Sequence, residues 1–220
     1  MSNDLIKPES SISPATIQQR GNNNLLVVPN PNSTVNLNVE NLNVTRPQDS
    51  YQLNARNVMA VQSFNKDYYQ LLVTCDDSIF EDNIITISND RILTSSYDDQ
   101  DIVKRCNTLN KEAINELKTY PAIICQESEY DHGKAGPAQM AIYGYLNKIR
   151  KNYKNVQISF VPLYLFPQHL LTDTKKNAFT FDLHIDCAIS SLNRCAWTIH
   201  EANLFEALEE IGLSNFPKPM

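Results

Sequence analysis

The chain has 220 residues, 42% of them apolar, and a formal net charge of −6. That suffices for one domain of ordinary size with an appendage and a sizeable core. The acidic balance excludes a general nucleic-acid binder, whose phosphate affinity rests on clustered Lys and Arg. No run approaches the roughly 18 apolar residues of a membrane helix, so no membrane partner is expected.

The first fifty residues are rich in Asn, carry Pro8, Pro14, Pro29, Pro31 and Pro47, and contain no aromatic side chain. Such a segment cannot bury a core of its own. Within it, Leu25-Leu26-Val27-Val28 reads as a short strand, and so does the alternating Val35-Asn36-Leu37-Asn38-Val39, resumed at Leu42-Asn43-Val44. A strand pair with one apolar face needs a cover. Residues 25–44 are therefore expected to order by self-association or on a partner protein; plain disorder and packing on the chain's own domain are the alternatives. Met1-Ser2-Asn3-Asp4 lacks the basic and apolar runs of a secretory signal.

A single domain is expected over residues 51–220. It begins with a helix over 54–63, whose Ala55, Val58 and Met59 share a face. Tyr68 to Thr74 reads as a strand, and Asn83 to Ile87 as a shorter one. Asp98 to Cys106 has acids in its first turn and Lys104-Arg105 in its last, as the helix dipole prefers. Asn110 is placed to cap a helix over Lys111 to Tyr120, which Pro121 ends.

Alternation dominates the second half. Ala122-Ile123-Ile124-Cys125 is a buried strand. Met140, Ile142, Gly144 and Leu146 pair with Val156, Ile158 and Phe160 in a hairpin about the basic Lys151-Asn152-Tyr153-Lys154. Pro167 opens a short helix through Leu171, and Phe179, Phe181, Leu183 and Ile185 suggest one more strand. Asn203 and Glu206 form a capping-box pair for the closing helix, with Gly212 as its stop. The expected class is α+β: a curved antiparallel sheet or partial barrel with short helices, preceded by an Asn-rich segment with strand character.

Five cysteines, Cys75, Cys106, Cys125, Cys187 and Cys195, are scattered without CxxC or CxxH spacing. Zinc is not implied, no metal or cofactor is expected, and free thiols fit a cytoplasmic protein. Glu127, Glu129, Asp131 and His132 form the densest titratable cluster. At a strand end such groups could bind a divalent metal or supply a general base. Gly133, Gly136 and Pro137 follow at once, however, and mark a solvated loop where acids are easily placed. Gly133-Lys134-Ala135-Gly136 matches the GxxG of KH modules but joins strands where those need helices. With five glycines the chain has no phosphate-binding or dinucleotide loop, and it has no GxSxG or HExxH.

The stretch Leu192-Asn193-Arg194-Cys195-Ala196-Trp197-Thr198-Ile199-His200 holds the only Trp and leads into the closing helix. An Arg over an indole can hold an anion. Arg194, Trp197 and Asn193, with Glu127, are therefore the candidate ligand residues, for a small anionic ligand. The remaining histidines, His169, His184 and His200, assemble into no evident site.

From about Ile92 to Leu213 the chain resembles a family of small bacterial α+β or partial-barrel proteins, some encoded among defence genes or fused to effector domains. The matching residues are Glu116-Leu117-Lys118-Thr119-Tyr120-Pro121-Ala122, Glu127, Tyr143-Gly144, Leu192-Asn193-Arg194, Trp197-Thr198-Ile199, Asn203-Leu204 and Glu206-Ala207-Leu208. Members resemble one another in having Thr-His before the Trp, where this chain has Cys195-Ala196; chemistry that used that His would be missing here. The Asn-rich segment is similar to tails of bacterial conflict proteins. The resemblance implies a non-catalytic binding or assembly module, oligomeric, acting as a sensor or adaptor in antiviral defence. The alternative is a metal-dependent hydrolase or nuclease built on Glu127, Glu129, Asp131 and His132.

Overall fold

Tyr69–Thr74, a run of aromatic, β-branched and aliphatic residues, forms β1 and is buried on both faces. It pairs in parallel with β3 (Pro121–Gln126) and antiparallel with β6 (Ala196–His200). Beyond β3 lie the long hairpin strands β4 (Met140–Lys151) and β5 (Asn155–Pro167), and then β2 (Ile84–Ser88). The sheet order is β2-β5-β4-β3-β1-β6. The computed structural model describes residues 64–76, 78–93, 100–185 and 190–218. The expected strands within 25–44, the helix over 54–63, the opening turn of the helix expected from Asp98 and Cys187 lie outside these residues.

β2 and β6 are the two edges of the sheet, yet the chain leaving β2 reaches the opposite edge. Ile92 forms a parallel bridge with Trp197, and the Leu93 amide donates to the Trp197 carbonyl at 2.8 Å. The six-stranded mixed sheet is thus curled into a half-barrel, and the fold is α+β. All six strands, both edges included, send side chains to one cluster, among them Ile85, Ile158, Ile142, Ile124, Leu72 and Trp197. That shared cluster fills the concave side. Two short helices close it, α2 (Gln100–Cys106) through Ile102 and Cys106, and α3 (Lys111–Leu117) through Ala113 and Leu117.

The other face of β1 and β3 presents Tyr69, Leu71, Val73, Ile123 and Cys125 to a second cluster. Ala178 of α4 (Lys175–Thr180) and Leu204, Phe205 and Leu208 of α5 (Leu204–Glu210) cover it. A four-residue helix, α1 (Ile79–Asp82), links β1 to β2.

The termini follow their local chemistry. The Asn110 side chain accepts from the Ala113 amide at 2.8 Å, as a cap of α3 should. Asn203 caps α5 by accepting from Phe205 and Glu206. The expected capping box closes differently, because the Glu206 carboxylate accepts from the Asn203 side-chain amide. α5 ends in a Schellman motif: Gly212, at φ +88°, donates to Glu209, and Leu213 donates to Leu208. In the hairpin, a Cβ at Gly144 would lie 2.3 Å from the Val161 carbonyl, so only glycine allows β4 and β5 to approach there.

Two local expectations are corrected. Pro167 is the last residue of β5, and the helical turn after it is a 3-10 turn over Gln168–Leu171. The strand expected at Phe179, Phe181, Leu183 and Ile185 does not form. Thr174 caps α4 by accepting from the Asn177 amide at 3.0 Å. Asp182, at φ 52°, then turns the chain, leaving Phe181 and Leu183 buried but Phe179 86% exposed. Two of the alternating apolar side chains thus reach the core from a turn, with no strand between them.

Candidate functional site

Because β1 and β3 run in parallel with Thr74 opposite Gln126, both strands end at the same edge of the sheet. The next residues, Cys75 and Glu127, leave side by side, and the Glu127 amide donates to the Thr74 carbonyl at 2.8 Å. β6 runs against β1 with Ala196 opposite Val73, so its preceding residue, Cys195, starts at that same edge. Three residues far apart in sequence are thereby brought together by strand register alone.

The Glu127 carboxylate reaches across the end of β1 and accepts from the Cys195 amide. The two thiol sulfurs and a carboxylate oxygen of Glu127 all lie within 4.8 Å of one another. Cys75 is exposed and Cys195 half-buried. Burial, and then the neighbouring Cys75, hold the Cys195 thiol above its ordinary value. A cavity of about 300 Å³ opens beside the cluster, lined by Cys75, Gln126, Glu127, Glu129 and Gln139.

Gln139 fixes one wall of this cavity. Its amide nitrogen donates to the Glu127 carbonyl at 2.7 Å, and its oxygen accepts from the Glu129 and Gly136 amides at 3.0 and 2.7 Å. The acidic loop is thus closed on itself by one side chain.

Of the four ligand residues expected from sequence, Glu127 alone lines the cavity. Asn193 is a staple: its oxygen accepts from the Gly133 amide at 2.7 Å, and its amide donates to the Ser128 and Tyr130 carbonyls at 3.2 and 2.8 Å. Trp197 is fully buried in the concave core. Its ring N–H donates to Gln70 at 3.1 Å, and Gln70 in turn donates to the Leu117 carbonyl at the end of α3 and the Tyr120 carbonyl just before β3. Arg194 is exposed. Arg194 stands in the bend before β6 and faces outward, whereas the Trp197 ring is enclosed, so they form no shared floor.

The acidic cluster also divides. Glu127 and Glu129 line the cavity beside the thiols, whereas His132 lines another, of about 370 Å³, with Lys134, Thr172, Asp173, Lys175 and Ile185. The His132 Nδ1 sits 3.0 Å from the Ile185 carbonyl. His200 is buried on β6, stacked on Tyr69 and bonded through Nδ1 to the Asp182 carbonyl at 2.8 Å.

Sequence reasoning missed Cys75 and Cys195 as a pair. The available signal was positional but partial: Cys75 and Glu127 each follow an expected strand, whereas β6, which Cys195 precedes, is not among the expected strands. Compared with known proteins, the chain matches no family model, no curated protein and no solved structure.

Proposed function

We propose that the protein is a non-catalytic binding module whose ligand site is the crevice where β1 and β3 end and β6 begins. The observation that carries this reading is the convergence of Cys75, Glu127 and Cys195 beside a cavity at the carboxyl ends of parallel strands. Two carboxylates on the cavity wall, Glu127 and Glu129, favour a cation or a hydrogen-bond donor over an anion. The hydrolase alternative gains no support, since Glu127 and His132 line different cavities and a general base must reach its proton within one site.

The resemblance to defence-associated bacterial proteins makes a sensor or adaptor in the cytoplasm the reading for biological context. In that reading residues 25–44 drive self-association or hold a partner protein. Deleting residues 1–48 then lowers the oligomeric state, the number of chains per particle given by light scattering after size exclusion; an unchanged number contradicts the self-association half of this reading.

The site itself is tested by recording amide spectra of the labelled protein against a library of small amine and amide fragments. The expected result is a set of perturbed amides at Cys75, Glu127, Glu129 and Cys195. Perturbations confined to the His132 and Lys134 cavity, or none at all, contradict it.

A further inference from the structure

We infer that Cys75, Glu127 and Cys195 together form a binding site for a soft divalent cation of the Zn²⁺ class, with three protein ligands and a fourth position open to the cavity. The inference rests on the proposed binding site and names the chemistry of its ligand.

The donor set selects the metal class. Two sulfurs and one carboxylate oxygen suit Zn²⁺, which takes Cys and Glu ligands and is commonly four-coordinate. Mg²⁺ and Ca²⁺ need mostly oxygen donors, and thiolates select soft metals against them. The ligand atoms, already within 4.8 Å of one another, would draw in to about 3.5–3.8 Å around an ion held at the usual Zn–S and Zn–O distances.

The backbone that carries the ligands is fixed. Cys75 and Glu127 follow paired strands in register, and Cys195 precedes a third strand paired to the first. The Cys195 amide holds one carboxylate oxygen of Glu127, and Gln139 holds the Glu127 carbonyl. Hydrogen bonds of this kind orient metal ligands and commonly support the affinity of a site. Cys125, on β3 in the cluster outside the half-barrel, and Cys106, the last residue of α2, lie outside the trio, and Cys106 serves as an internal control.

Three ligands with an open position describe a centre that can take a ligand atom from a bound molecule. The cavity gives that position access: Cys75 and Glu127 belong both to the trio and to the cavity wall.

The test uses the full chain, reduced and stripped of metal, titrated with Zn²⁺ in competition with a chromophoric chelator. One equivalent is expected to bind. Cys75→Ser and Cys195→Ser should each weaken it by more than the roughly 10–100-fold that loss of an outer-shell partner costs, and Glu127→Gln, which keeps an acceptor for the Cys195 amide, by at least about 10-fold. Cys106→Ala should leave affinity unchanged. Co²⁺ provides a second readout, since thiolate-to-cobalt charge-transfer absorption should appear in the wild type and fade in either serine variant while circular dichroism stays native. Absence of stoichiometric Zn²⁺ binding, binding that survives Cys75→Ser, or a Cys75–Cys195 disulfide as the only change of the pair overturns the inference. If amine and amide fragments still perturb the crevice amides, the binding-site reading survives that outcome; if they do not, both fall.

Discussion

At Trp197 the largest side chain of the chain is also a hydrogen-bond donor, and both properties are used. The ring fills the concave core, and its N–H holds Gln70 so that the Gln70 amide can satisfy the Leu117 carbonyl at the end of α3 and the Tyr120 carbonyl just before β3. Removal of the ring is expected to cost about 3–5 kcal/mol, the usual range for a buried aromatic cut to Ala. Trp197→Phe keeps most of the apolar volume but strands the Gln70 oxygen, at an expected cost of about 1–3 kcal/mol. Denaturant melts of both variants decide it, and a loss below about 0.5 kcal/mol, typical of surface changes, would contradict the anchor role. The sequence singled out Trp197 by its position before a capped helix and offered it as a ligand residue, a role its full burial does not support. It could not show that Arg194 stays exposed in a bend while the indole is buried, because that depends on where the strand begins.

Elements are joined through a few polar contacts as well as through the cores. α2 and α3 are linked by Arg105, whose guanidinium donates to the Glu116 carboxylate at 2.9 Å, and Tyr120 donates to the same oxygen at 2.7 Å. The Arg105 hydrogen bond is the largest influence on the Glu116 carboxyl and holds it below its ordinary value. A depressed carboxyl contributes stability that is fully present above the unfolded pKa of about 4.3 and is lost as pH falls through the lower folded value. The stability difference between wild type and Glu116→Gln should therefore be constant from neutral pH down to about pH 5 and shrink below about pH 4. Both side chains are partly exposed, at 54% and 31%, so the difference itself should be small. Melts at a series of pH values check the sign, and a difference that grows with acid would contradict it. Most elements were legible because burial and period agree: β3 reads as a continuous apolar run, and Asn110, Asn203 and Gly212 mark helix ends by their own chemistry. α4 was not legible, since Phe179 and Phe181 mimic a strand period while Thr174 and Asn177 set a helix start.

The site appears only at the scale of the whole molecule. Cys75, Glu127 and Cys195 are separated by long stretches of chain, and each sits one residue beyond a strand. Only the order β3-β1-β6, with one parallel and one antiparallel pairing, places them at one edge. Local pattern revealed the ends of β1 and β3 but not β6, and carried no information on which strands pair or in which direction. The curl of the sheet adds the second requirement, since it buries Trp197 within the concave core and leaves the carboxyl edge of β1 and β3 open to a cavity. The most direct test of this assignment is an anomalous difference map, recorded at the zinc edge, from crystals of the reduced protein grown with Zn²⁺. One peak bonded to the sulfurs of Cys75 and Cys195 and to the carboxylate of Glu127 is the predicted result. No peak at the carboxyl edge of β1 and β3, or a peak only among His132, His169 and Asp173, would contradict it.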